Sequence, residues 1–165
     1  MKVLVKVKLI IPLISLFLLL IGYNLHAETY YGLTKKGNRY YKNGLYKDAF
    51  NYYERGIEKN KKSNEPYFNM GTAYYKMENY SKAIESFTKS LNLTGNDEEK
   101  SKLFYNLGNS CYKTKDYPEA VEYYEKGLNI NPTDFNMKNN LELALRKIKE
   151  ANNNKNQNNE NNSEN

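Results

Sequence analysis

The 165-residue chain has one histidine, one cysteine and no tryptophan. His26 lies in a leader-like segment, so the remainder of the chain has no imidazole. That excludes a triad built on a histidine base, a histidine-ligated zinc and a cysteine–histidine nucleophile. Cys111, alone, has no partner for an intramolecular disulfide. Gly37, Gly71 and Gly108 each stand singly inside a helical pattern, so there is no glycine-rich phosphate loop. Carboxylates are plentiful, but Glu98 and Glu99 read as loop, and Glu122 and Glu125 as outward helical faces. Nothing marks the shaped cleft in which paired acids cleave a glycosidic bond. No catalytic residues, no cofactor and no metal are expected, and the chain is not expected to be an enzyme.

Long apolar runs are scarce too. Lys2, Lys6 and Lys8 precede an apolar stretch from Leu9 to Ile21, and a polar stretch then ends in Leu25-His26-Ala27. A basic head, a short apolar segment and a small residue before the cut describe a secretory signal peptide over residues 1–27. The stretch is about 13 residues and holds Pro12, against the roughly 20 needed to span a bilayer. An uncleaved anchor in the inner membrane is the alternative. Three of the 25 basic residues leave with this segment, so 22 face 19 acidic ones, a net charge of +3. The lysines alternate with glutamates instead of forming a stripe, so nucleic acid is not an expected partner. From residue 152 the chain is Asn-rich without any apolar residue, and residues 152–165 are expected to be disordered.

What the chain does have is a repeat. Gly37, Gly71 and Gly108 are spaced by 34 and 37 residues. Twelve residues after each comes an alanine (Ala49, Ala83, Ala120), and four later an aromatic (Tyr53, Phe87, Tyr124). Such a period means a helix–turn–helix unit that stacks into a solenoid. Small residues let two helices approach closely. Tyr40, Tyr74 and Cys111 sit at one interior position, Cys111 as a small buried hydrophobe. Tyr46, Tyr80 and Tyr117 mark the turns, while Pro66 and Pro118 suit helix starts. Repeats are read over about 30–63, 64–97 and 101–134, the loop Thr94–Glu99 absorbing three extra residues. Asp134 then caps a last helix to about residue 151, whose stripe is Met137, Leu141, Ala144, Leu145 and Ile148. Glu142 stands where a fourth small residue would be needed, so this helix reads as a terminal cap.

Gly37/Ala49/Tyr53, Gly71/Ala83/Phe87 and Gly108/Ala120/Tyr124 with Pro132 resemble the tetratricopeptide repeat (TPR) family over about residues 30–151. Lys36 departs from the usual Leu, and Lys61 and Gly95 from a common Pro. The resemblance implies an all-α fold, a right-handed solenoid of three repeats plus a C-terminal capping helix, in a domain spanning 28–151. It also implies a concave groove lined by the first helix of each repeat. At the family's groove positions stand Asn38, Tyr41 and Lys42; Asn69, Thr72, Tyr75 and Lys76; and Lys102, Asn106, Asn109, Tyr112 and Lys113. A Tyr-Lys pair recurs in all three repeats, a ladder of aromatics beside a ladder of ammonium groups. The implied partner is a protein or peptide, the lysines favouring an acidic segment or a C-terminal carboxylate. Some relatives grip that carboxylate in a clamp. Asn38, Asn69 and Lys102 match its pattern, while Thr34 and Asn106 stand where further basic residues belong. The export signal, three repeats and the segment Asn140–Leu145 also resemble TPR proteins of bacterial Bat-type aerotolerance operons. The expected function is an exported, periplasmic adaptor or scaffold in cell-envelope assembly. A membrane-anchored subunit and a self-associating structural solenoid are the alternatives, and the oligomeric state is open.

Overall fold

The computed structural model describes residues 28–163, and seven helices with no strand account for most of them. The expected leader, residues 1–27, lies outside the described residues. The helices are α1 (Tyr30–Lys42), α2 (Tyr46–Lys59), α3 (Glu65–Lys76), α4 (Tyr80–Leu93), α5 (Asp97–Lys113), α6 (Tyr117–Ile130) and α7 (Phe135–Ser163). Contacts run between sequence neighbours and only sparsely between alternate helices. The molecule is therefore a stack of three hairpins, α1–α2, α3–α4 and α5–α6, covered at one end by α7.

Side-chain caps begin most helices, satisfying amide groups that have no intrahelical partner. Thr29 accepts from the Gly32 amide, Asn79 from Lys82, Asn96 from Glu99, Asp116 from Glu119 and Asp134 from Met137. Pro66 and Pro118 sit in the first turns of α3 and α6. Each hairpin turn contains one left-handed residue at the same repeat position: Gly44, Glu78 and Lys115, with φ of 74°, 59° and 65°. Glycine adopts that conformation freely, the other two only under strain.

Each repeat glycine makes room for a ring. A Cβ built on Gly71 would lie 2.6 Å from Phe87, and on Gly37 or Gly108 it would lie 2.5 Å from Tyr53 or Tyr124. The close approach thus admits the aromatic of the second helix rather than the alanine of the anticipated pair, although Ala49, Ala83 and Ala120 are all fully buried. Ala83, Phe87, Leu103 and Leu107 form an apolar core between the second and third hairpins. Cys111, Ala120, Tyr124, Met137 and Ala144 form another beneath α7. Burial pushes the Cys111 thiol up to about 12.

Two boundaries differ from the sequence reading. The three extra residues before the third repeat do not lengthen a loop. Asp97, Glu98 and Glu99 are the first turn of α5, where three acids oppose the positive end of the helix dipole. The last helix does not stop at 151 but runs through the Asn-rich stretch to Ser163. No Pro or Gly follows Pro132 to end it, and each added residue gains one intrahelical bond. On α7, Met137 and Ala144 are buried, Leu141 and Ile148 half-buried, whereas Leu145 is 48% exposed and leaves the expected stripe. Glu142 is exposed.

Candidate functional site

The odd-numbered helices line a trough containing two cavities. The larger, ≈ 580 Å³, has Phe68 of α3, Tyr105 and Asn106 of α5, and Ile130, Asn131 and Asp134 at the approach to α7. The smaller, ≈ 250 Å³, is walled by Tyr75, Tyr105, Tyr112 and Tyr124, with Asn109 and Asn140 between them and Lys113 and Leu143 at the edge. Tyr105 separates the two. Among the described residues, no three His, Cys, Asp or Glu side chains gather to hold a metal ion.

Tyr41, Tyr75 and Tyr112 each meet the first residue of the following helix. The rings of Tyr41–Tyr46, Tyr75–Tyr80 and Tyr112–Tyr117 lie 5.7, 5.3 and 5.2 Å apart, the last two edge to face. Such pairs hold each aromatic in one orientation. Burial raises the pKa of Tyr41 and of Tyr75, so both phenols stay neutral donors near pH 7. Lys42, Lys76 and Lys113 follow these rings, exposed and at the C-terminal ends of their helices, where cations oppose the helix dipole. None forms an ion pair among the described residues. Lys147 occupies the matching place on α7, 34 residues after Lys113, and pairs with Glu150 at 2.6 Å. The opposite ends of these helices are acidic, with Glu65, Asp97, Glu98 and Asp134. The trough therefore has one basic rim and one acidic rim. At 1.5 Å per residue, roughly 24 Å of α5 separates Asp97 from Lys113.

The polar candidates divide differently from the sequence expectation. Asn38 Oδ1 accepts from the Tyr53 hydroxyl at 2.8 Å and from Asn69 Nδ2 at 2.9 Å. Asn109 Oδ1 accepts from the Tyr124 hydroxyl and from Asn140 Nδ2, both at 2.8 Å. These two latches join the first hairpin to the second and the third to α7. Asn38, Asn69 and Asn109 thus spend polar atoms between repeats, which a count of groove amides from sequence does not register. The Thr72 hydroxyl donates to the Phe68 carbonyl at 3.0 Å, inside its own helix. Asn106 alone among these amides is in no side-chain hydrogen bond among the described residues, and it is half-buried. Lys102 is paired with Glu98 at 2.6 Å. Thr34, at the clamp position, is buried and donates to the Tyr30 carbonyl at 3.0 Å.

In the smaller cavity Tyr105, Tyr124, Asn140 and Leu143 fall outside the sequence-derived groove set, and in the larger so does all of the lining except Lys102 and Asn106. Tyr105 sits at a groove position and was legible from the repeat register. Asn140 and Leu143 belong to the cap, which the sequence presents as a cover and the structure uses as a wall. At the N-terminal edge, Glu28 is paired with both Lys36 and Arg55, which holds its carboxyl below the usual range. The first hairpin is therefore tied down from its first described residue.

Comparison with known proteins agrees with this geometry. A family model described as Tetratricopeptide repeat matches residues 62–133. The Sgt2 TPR domain from Aspergillus fumigatus is 28% identical, with a TM-score of 0.65 over 74% of this chain and 81% of its own. The second TPR domain of human RPAP3, in complex with the HSP70 peptide SGPTIEEVD, is 26% identical, with a TM-score of 0.62 over 68% of this chain and 91% of its own. The first TPR of Spaghetti (RPAP3), bound to the HSP90 peptide SRMEEVD, shares the fold at 22% identity and a TM-score of 0.67, over 74% and 94%. No curated protein sequence matches this chain.

Proposed function

We propose that this chain, a tetratricopeptide repeat protein, is an exported adaptor that holds a protein or peptide segment in its trough and works by binding rather than by catalysis. The observation that carries this reading is the smaller cavity. Four tyrosines wall it, and Lys113, which forms no ion pair among the described residues, stands at its edge. Rigid aromatics with a polar tip supply contact area at low entropic cost, as recognition surfaces require. The peptide complexes of the RPAP3 domains support the same use of the same fold.

Export, and assembly work at the bacterial cell envelope, rest on the basic head and apolar run of residues 1–27. The anchoring of Glu28 to the first hairpin agrees with a domain that begins where the leader is expected to end. N-terminal sequencing of the fractionated protein checks this: a mature chain starting at Glu28 supports export with cleavage, and an intact Met1 favours the membrane-anchored subunit. The groove itself is tested by crosslinking in intact cells. Tyr75→Ala with Tyr112→Ala should abolish partner capture and leave far-UV helicity unchanged. Undiminished capture by the double variant would remove the trough from consideration.

A further inference from the structure

The three seams between successive repeats are not alike. The first and last carry the Tyr–Asn–Asn latch, made by Tyr53, Asn38 and Asn69 and by Tyr124, Asn109 and Asn140. In the middle seam Phe87 replaces the tyrosine and brings no hydroxyl. Thr72 replaces the accepting asparagine and spends its hydroxyl on Phe68. Asn106, which holds the position of Asn69 and Asn140, keeps a donor amide without the acceptor that both counterparts have. This half-buried amide is open to solvent, and a carbonyl that reaches it replaces water for a modest net gain.

The surroundings of this amide state what else the carbonyl's owner carries. Asn106 opens into the ≈ 580 Å³ cavity, whose apolar surface comes from Phe68, Tyr105 and Ile130. Asp97, Glu98, Asp134 and Lys102 supply its charge. Glu98 is answered by Lys102 at 2.6 Å and Asp97 by Lys100 at 3.0 Å. Asp134 has no ion partner among the described residues. It is half-buried, and one of its oxygens accepts from the Met137 amide. An apolar wall ending in an unanswered carboxylate suits an aliphatic stem with a cationic head.

We propose that this cavity receives a lysine or arginine side chain from an extended segment of the protein partner, while Asn106 Nδ2 donates to a main-chain carbonyl of that segment. The proposal rests on the groove reading above and gives the partner a chemistry of its own. The acidic side of the trough selects a basic residue, even though the far rim is a row of lysines. In an extended strand alternate side chains face opposite ways. One bound segment can therefore present a base to Asp134 and acids to Lys76 and Lys113.

The probes are N-acetylated, C-amidated nonapeptides of an Ala/Ser host with lysine, norleucine or glutamate at the centre. They are titrated into the ¹⁵N-labelled chain, with the Asn106 side-chain amide as the reporter. The lysine peptide should bind about tenfold more tightly than the norleucine peptide, and the glutamate peptide more weakly still. Asp134→Asn keeps the helix cap, since Asn caps as well as Asp, and should cut that preference below about threefold. The proposal is overturned if the three peptides bind alike, if none binds, or if the preference survives Asp134→Asn. Capture through Tyr75 and Tyr112 is read in cells at the other cavity. It stands or falls separately from this result.

Discussion

Gly71→Ala tests why the repeat needs its glycine. The added Cβ would lie 2.6 Å from Cδ1 and Cε1 of Phe87 and 2.9 Å from Cγ. Carbon atoms settle at about 3.5–4.0 Å, so the ring would have to retreat by roughly 1 Å. Phe87 is 1% exposed, meets the edge of Phe68 with centroids 5.9 Å apart, and shares its core with Leu103 and Leu107. It has nowhere to go. Overpacking a core costs about 1–3 kcal/mol, and alanine returns only about 0.5–1 kcal/mol of helix propensity. Three ring atoms lie within 3 Å of the added methyl, which places the overpacking at about 2–3 kcal/mol and the expected net loss at about 1–2 kcal/mol. With a urea m-value of about 1–3 kcal/mol/M, the midpoint followed by circular dichroism should fall by roughly 0.3–2 M. Gly95→Ala is the matched control, because nothing lies within 4 Å of its added methyl. It should be neutral, or stabilising by up to about 1 kcal/mol through the unfolded chain. A Gly71→Ala protein that resists urea as well as the parent would refute the packing argument.

Tyr124→Phe removes one donor from the last latch and copies the residue of the middle seam. It should cost about 1 kcal/mol in chemical denaturation, and no loss would mean the latch does not contribute. Glu78→Gly relieves a left-handed side chain at φ 59° and should raise stability by about 0.5–1 kcal/mol in the same assay, whereas a lower midpoint would count against strain in that turn. Cys111 is 2% exposed with its thiol pushed up to about 12. The unfolded chain therefore loses this proton first as pH rises. Stability should decline from near the ordinary thiol value of about 8.5 towards 12, and Cys111→Ala should flatten that part of a pH series. The native thiol should also resist iodoacetamide at pH 8 until denaturant is added, as followed by mass spectrometry.

The hairpins were legible because their determinants are short-range. Gly71, Ala83 and Phe87 lie within 17 residues, and helical spacing alone brings them to one crossing. The seams were harder. Whether Asn38 is free or spent depends on Tyr53 and on Asn69, 31 residues away. Its fate is settled only when one hairpin stacks on the next. A signal existed: the seam with Phe in place of Tyr is also the seam with Thr in place of Asn. Asp97–Glu99 read as a loop because the extra residues had to go somewhere, yet Asn96 followed by three acids is a helix start. Asn140 and Leu143 were overlooked as groove wall because the cap was assigned a covering role alone. The Asn-rich extension of α7 follows from backbone continuity, each residue adding an intrahelical bond, which composition does not capture.

The unlike seams give the molecule an uneven response to temperature. Its front and rear joints combine the Tyr–Asn–Asn latch with buried hydrocarbon, whereas the middle joint has no latch and joins its hydrocarbon to an exposed bond at its edge, Asn64 Nδ2 to Glu99 Oε2 at 2.7 Å. Hydrocarbon burial loses its driving force on cooling. Chilling should then slacken the hinge between two sturdier halves before either half melts, just where the roomier cavity opens. A grip that fades in the cold, with helix content intact, would be the thermal fingerprint of that oily hinge.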